Sequence, residues 1–169
     1  GKKGLRQFGG NDKLWGILGK GLGKKKGDSL ALDLGCGMGR STFELARKNR
    51  LAIGLDADFQ ALALAASFSR RGKIKYDLKV RGLLNVPVKS SFRPSDNAVF
   101  ILADALNPPF AAESFKTVCA FNLIDSVSKP ALLLKKMNSL LMPKGALIVA
   151  SPFSWREEVT PKKLWFESE

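Results

Sequence analysis

The apolar positions of this chain fall into short runs separated by stretches of helical spacing. From residue 28 onward the two alternate, which predicts βαβ units and a largely parallel sheet. SLALDLG (29–35) reads as a buried strand closing on a glycine-rich turn. RSTFELARKN (40–49) reads as the helix after it, with Ser41 and Glu44 in the S-x-x-E spacing of a capping box. LAIGLDA (51–57) is a second strand and DFQALALAASFSRR (58–71) an Ala/Leu-rich helix behind it. NAVFILADA (97–105) and FKTVCAFN (115–122) predict the third and fourth strands. SKPALLLKKMNSLLMPKG (128–145) predicts a helix with Ser128 as N-cap, Pro130 in its first turn, and Pro143 and Gly145 as its stop. ALIVASPF (146–153) supplies the fifth strand.

Two stretches stand outside this rhythm. NDKLWGILGKGLGKKKGD (11–28) predicts a short amphipathic helix and a basic, glycine-containing linker. GKIKYDLKVRGLLNVPVKSS (72–91) alternates in places and predicts a hairpin inserted before the third strand, longer than an ordinary connection. The expected division is therefore a basic helix and linker over 1–27, then one α/β domain over 28–169 carrying a basic insertion at 72–91. A length of 169 residues suits one such domain with a sizeable core. Beginning on Gly and stopping at LWFESE, the chain leaves room for a longer protein whose sheet has two further strands.

Charge sharpens this division. The net charge is +13, and the excess lies in two segments, 1–28 (+6) and 70–93 (+7). Such segregation marks either a footprint for nucleic acid or another polyanion, or solvated basic surface. The chain contains no His, which argues against a zinc site or a Ser-His-Asp triad. Cys36 and Cys119 are not in a metal-ligand spacing and read as small buried residues of a cytosolic protein, so no metal is expected. No apolar run reaches the ~18 residues of a membrane span, and no secretory signal stands at the start. The expected location is cytoplasmic.

The chemistry concentrates at the carboxyl ends of the strands. A strand, a glycine-rich turn and a helix at the start of an α/β sheet mark a nucleotide-type cofactor site. The turn reads Gly35-Cys36-Gly37-Met38-Gly39-Arg40, so Arg40 stands where the dinucleotide fingerprint needs its third glycine. Asp33, two residues before the turn, would repel a pyrophosphate but suits a cationic amino group or sulfonium. Asp56 ends the second strand, where a carboxylate can accept from both ribose hydroxyls at roughly 1.5–3 kcal/mol per bond.

ALDLGCGMGRSTFELA, AIGLDAD and ILADALNPPFAAESFKTVCAFN together resemble the successive motifs of class I S-adenosylmethionine-dependent methyltransferases, of the type 11 kind. The resemblance covers about residues 28–152 and implies a Rossmann-like, doubly wound, mostly parallel sheet with helices on both faces. It implies S-adenosyl-L-methionine as cofactor. Asp33, Gly35 and Gly37, with Cys36 and Gly39 of the same turn, would surround its methionine end, and Asp56 with Ala57 its ribose. Asp104 and Ala105 would bracket the adenine, and Asn122 and Leu123 would line the cleft near the methyl group.

Asn107-Pro108-Pro109-Phe110 spells the motif with which amino-group methyltransferases hold their target nitrogen, but in that group it follows the fourth strand. Here it follows the third, where the family has a Leu-Pro-Phe-like loop, so it is expected to be a loop anchored by Phe110. No catalytic base is identified, and Asp104, Asp125 and Tyr76 are the candidates. FNLIDSVSKP and ASPFSWREEVTPKKLW are locally similar to the methyltransferase part of ovothiol-forming enzymes, which methylate a mercaptohistidine. That likeness implies a small-molecule acceptor with Phe153 and Trp155 as pocket walls. The alternatives are an RNA, DNA or protein acceptor bound through the basic segments, and a non-catalytic cofactor-binding or scaffold subunit. Oligomeric state is left open.

Overall fold

The computed structural model describes the backbone of residues 27–81, 84–91 and 95–166, and the side chains of 27–72 and 95–166. The short helix and basic linker expected over 11–28 lie outside the described residues except for Gly27 and Asp28, at the linker's end. Five strands form one sheet: β1 (Leu30–Leu34), β2 (Leu51–Asp56), β5 (Ala98–Leu102), β6 (Phe115–Phe121) and β7 (Leu141–Ala150). Their order is β5-β2-β1-β6-β7 and every pairing is parallel. The order reverses at β1, and in such sheets ligands bind outside the carboxyl ends of the strands at that switch point.

The two faces of the sheet are covered by different helices. Leu32 and Leu34 of β1 join Val118, Ala120, Leu133, Met137 and Leu140 in the larger core, on the side of α3 (Pro130–Leu140). Ala31 points the other way, into a cluster with Leu45 and Ala46 of α1 (Arg40–Ala46), Ala52 and Cys119. Side chains alternate along a strand, so Asp33 shares the α1 face with Ala31. Phe43 of α1 is buried in edge-on contact with Phe68 of α2 (Phe59–Arg71), 5.7 Å away, and with Phe100, 5.6 Å away. Asn97 ties α1 to the start of β5, donating from Nδ2 to the carbonyls of Ala46 (2.7 Å) and Asn49 (3.0 Å).

The expected insertion is a separate antiparallel pair, β3 (Lys73–Arg81) with β4 (Leu84–Ser91). Gly72 ends α2 in the left-handed region at φ 64°, and the hairpin leads from there to the amino end of β5.

Four local expectations need correction. The capping box does not form: the N-cap of α1 is Gly39 at φ 83°, without a side-chain cap, and Ser41 turns inward. Glu44 instead pairs with Arg40 (3.5 Å) and Arg47 (2.9 Å), and the helix ends at Ala46 rather than 49. Ser128 is not an N-cap, because α3 begins at Pro130 behind Lys129. Finally, Pro143 and Gly145 do not stop a helix. The chain turns extended at Leu141, and the pairing jumps from Phe115↔Leu141 to Thr117↔Ala146, so the extra residues bulge out of β7. Lys144 sits there at φ 60°, and its carbonyl accepts from Lys116 Nζ at 2.6 Å. Such a bulge, with its proline, is tolerated at a sheet edge.

Candidate active site

The turn after β1 is built by backbone bonds to β2. The amides of Gly35 and Cys36 both donate to the Leu55 carbonyl, at 2.8 and 3.1 Å. The turn glycines have different duties. A side chain on Gly39 would meet the Phe100 ring at 2.7 Å, so this glycine lets α1 approach the sheet. A Cβ on Gly35 would meet Leu123 at 2.7 Å, which places the turns after β1 and β6 in contact. Gly37 is the exception: at φ 51° it has nothing within 4 Å of a would-be Cβ. Its backbone faces open space.

Asp56 fixes that open backbone. Its Oδ2 accepts from the Gly37 amide at 2.7 Å and its Oδ1 from the Asp58 amide at 2.9 Å. Each carboxylate oxygen has a second acceptor position, so Asp56 retains acceptor capacity. Ala57, beside it, is exposed. On the far side of β2, Ala103 leaves the ladder by donating to the Asp56 carbonyl at 3.0 Å. Asp104 is exposed; its Oδ1 accepts from the Leu106 amide at 2.8 Å, and Ala105 is buried behind it. On the other flank Asn122 is exposed at φ 55°, its amide donating to the Ala150 carbonyl at 2.8 Å.

Asp33 belongs to the same neighbourhood but lies beneath its surface. It is wholly buried on the α1 face. Oδ2 accepts from Ser41 Oγ and Thr42 Oγ1, each at 2.6 Å, and Oδ1 from the Cys119 thiol at 3.3 Å. Burial pushes its carboxyl above the ordinary value, against the opposing pull of these donors. Asp33 therefore acts from behind, clamping the first turn of α1 and with it the glycine turn. Cys36 is buried as well, and desolvation, with the charges of Asp33 and Asp56, pushes its thiol far up. Burial does the same to Cys119. Both are inert packing thiols, as expected. Ser41, Thr42 and Cys119, which hold Asp33, are not among the site residues that the sequence reading singles out; the adjacent hydroxyls directly after the turn are the available signal.

The Asn107–Phe110 loop follows β5, which β2 and β1 separate from β6. Phe110 packs edge-on against Phe115 with centroids 5.1 Å apart, so the loop is anchored as expected. Of the candidate bases, Asp125 is buried and holds the Ser154 amide at 2.7 Å, and Tyr76 lies outside the residues whose side chains are described. No cluster of metal-ligating side chains occurs among the described residues.

A profile of the methyltransferase domain matches residues 25–166. The chain belongs to the methyltransferase domain family. S-adenosylmethionine is the cofactor of that family. The fold agrees with solved methyltransferase-like structures. The YcgJ protein of Bacillus subtilis superposes with a TM-score of 0.66 at 17% identity, over 83% of this chain and 50% of that one. A methyltransferase from Haloferax volcanii, solved with the Trm112 activator, gives 0.61 at 19% identity over 85% and 54%. Geranyl diphosphate C-methyltransferase of Streptomyces coelicolor, solved with Mg2+, geranyl diphosphate and S-adenosylhomocysteine, gives 0.62 at 15% over 82% and 43%. The chain thus spans about half the length of these structures. None of the curated proteins compared matches it. Among the described residues no helix of this methyltransferase domain is long and apolar enough to cross a membrane.

Proposed function

We propose that this domain binds S-adenosylmethionine across the carboxyl ends of β1, β2, β5 and β6 and directs its methyl group, in line, to a small-molecule acceptor. The observation that carries the reading is Gly37: a positive-φ turn with open space over its backbone, pinned by the carboxylate of Asp56. The donor set fits the cofactor. An uncrowded turn admits its methionine end, Asp56 has acceptor capacity for a ribose diol, and exposed Asp104 stands two positions past β5 for the adenine edge. Gly35, Gly37, Asp56, Ala57, Asp104, Ala105, Asn122 and Leu123 are the proposed contacts, with Asp33, Cys36 and Gly39 holding the turn from inside.

When bound, the cofactor supplies an electrophilic methyl carbon on a sulfonium, which needs alignment more than activation. This chain's part is then positional. Asp33 and Asp56 hold the turn from its two sides, and the contact between Gly35 and Leu123 closes the floor between β1 and β6. Fixing donor and acceptor in one geometry is where the rate gain arises.

The small-molecule acceptor is favoured over nucleic acid by where the basic hairpin starts. It leaves α2 and enters β5 at the amino ends of the strands, opposite the cleft. We take 28–169 as one domain with 72–91 inserted in it, and a cytoplasmic location in view of the two free buried thiols. Titration calorimetry with S-adenosylmethionine tests the core of the proposal. Saturable binding that Asp56→Ala weakens tenfold or more is expected, at about 1.4 kcal/mol per tenfold. No binding would leave the scaffold reading instead.

A further inference from the structure

We infer that the turn after β6 and the loop after β7 form a recognition site for a cationic nitrogen on the acceptor, with Asp125 as its charged partner and Phe153 as its flat wall. The inference rests on reading the cleft as a methyl-transfer site. Asp125 lies in the 3-10 turn Ile124–Ser126, directly after the two residues proposed to line the methyl group. It is 3% exposed, its Oδ2 accepts from the Ser154 amide at 2.7 Å, and Oδ1 accepts no hydrogen bond among the described residues. No ion pair involves it among those residues either. Among the described residues this nearly buried carboxylate has no cation, and its Oδ1, which accepts no bond from them, is not sealed off, so it is suited to a ligand's charge and N–H groups.

The aromatic residues beside it divide into anchors and one presented ring. Trp155 stacks on Trp165 (9° between planes, 6.1 Å between centroids) and meets Phe166 edge-on at 5.9 Å. Trp165 Nε1 donates to the Thr160 carbonyl at 2.7 Å, and buried Thr160 donates from Oγ1 to the Val127 carbonyl at 2.7 Å. This network fastens the segment to the domain. Phe153 is different: its ring is tilted 6.1 Å from Trp155 and it is 53% exposed. Its φ is 53°, a region that bulky L-residues seldom enter. The conformation is held by its own amide, which donates to Ser151 Oγ at 3.0 Å, and by the next amide on Asp125. A ring displayed to solvent by a strained, doubly fixed backbone serves binding better than packing.

Position and charge agree. In sheet order β7 lies two strands from β1, roughly 10 Å at the usual spacing, so the loop after it stands one small molecule away from the glycine turn. Lys and Arg are absent from 120–128 and 149–155, and Lys129 and Arg156, which directly follow these stretches, form no ion pair with Asp125. An aromatic face beside a carboxylate that no described Lys or Arg pairs with selects a cation over an anion. The cationic nitrogen is a handle for orientation and need not be the methylated atom.

The probes are 2-phenylethylammonium, its neutral counterpart 2-phenylethanol and the anionic 3-phenylpropionate, titrated by calorimetry with and without S-adenosylmethionine. The ammonium should bind most tightly. Asp125→Asn, which keeps an oxygen for the Ser154 amide, should weaken it tenfold or more, the scale of a charged hydrogen bond. Phe153→Gly suits the positive φ and so preserves the fold, and should weaken it by roughly 2- to 5-fold. Equal binding of the three probes, or an ammonium affinity indifferent to Asp125→Asn, would overturn the inference. Titration without the cofactor reads this site alone, so failure to bind S-adenosylmethionine would count against methyl transfer and not against cation recognition.

Discussion

The clamp around Asp33 makes the most demanding prediction. Three side-chain donors meet one wholly buried carboxylate, two of them at 2.6 Å from adjacent residues of α1. A hydrogen bond to a charged group contributes about 1.5–3 kcal/mol, so Ser41→Ala and Thr42→Val should each cost about 2 kcal/mol. Removing both strips Oδ2 of its side-chain donors and should cost about 4 kcal/mol or more, a large part of the 5–15 kcal/mol that a domain typically has. Asp33→Asn should be much milder, about 1 kcal/mol, because the amide oxygen can still accept from both hydroxyls without a charge to solvate. The decisive comparison is a double-mutant cycle. In the Asp33→Asn background, Ser41→Ala should lose about half its cost, since the bond it removes is no longer charge-assisted. Urea denaturation followed by tryptophan fluorescence reads this directly: with a slope of about 2 kcal/mol per molar, a single hydroxyl loss moves the midpoint by about 1 M. Costs below about 0.5 kcal/mol for either hydroxyl, or equal costs in both backgrounds, would refute the clamp.

Four other outcomes rest on the same geometry. Gly39→Ala should destabilise the domain by about 2 kcal/mol or more, because its Cβ would meet Phe100 at 2.7 Å at φ 83°, as read by thermal melting. Gly37→Ala has open space and should cost only about 1 kcal/mol of backbone strain, yet lower S-adenosylmethionine affinity disproportionately by calorimetry. Asp104→Ala should also weaken that affinity while Asn107→Ala leaves it nearly intact, and the reverse would restore Asn107-Pro108-Pro109-Phe110 as the methyl-transfer motif. The Asp33 carboxyl is raised above 3.8 in the folded state, so its contribution to stability is fully present below that value and is lost as pH rises through the folded one. The stability of the wild type relative to Asp33→Asn should therefore fall over that interval, and a flat difference in urea midpoints would contradict it.

The order of strands was legible because parallel strands buried on both faces read as continuous apolar runs, and those at 29–35, 51–57 and 115–122 match β1, β2 and β6 to within a residue or two. The same property hid the orientation of Asp33. On a strand buried on both faces there is no polar side to mark which residues turn towards the cleft. Ser41 failed for a related reason: its spacing to Glu44 satisfies the capping pattern, but a glycine turn in the left-handed region had already taken the N-cap position. The end of α3 depended on pairing between Phe115 and Leu141, a contact across 26 positions of chain that no local pattern encodes. Pro143 and Gly145 correctly signalled a turn, but the turn interrupts a strand.

Two acidic residues at the ends of adjacent strands thus have opposite duties, and burial separates them. Asp33 gives both oxygens to side chains behind the turn and is sealed from solvent, whereas Asp56 gives one bond per oxygen to backbone amides and stays half-buried at the cleft. Both end on the glycine turn, one through α1 and the other through Gly37 itself. A ligand that draws Asp56 towards its hydroxyls therefore pulls on a turn that Asp33 holds from the far side. On the proposed reading, stiffness supplied by the buried acid would let Asp56 bind without reshaping the site, because ordering a loose turn on binding would be charged against affinity. The consequence separates the two residues experimentally. Loss of the Asp33 clamp should weaken S-adenosylmethionine by an amount that grows with temperature as the turn loosens, whereas Asp56→Ala should weaken it at every temperature.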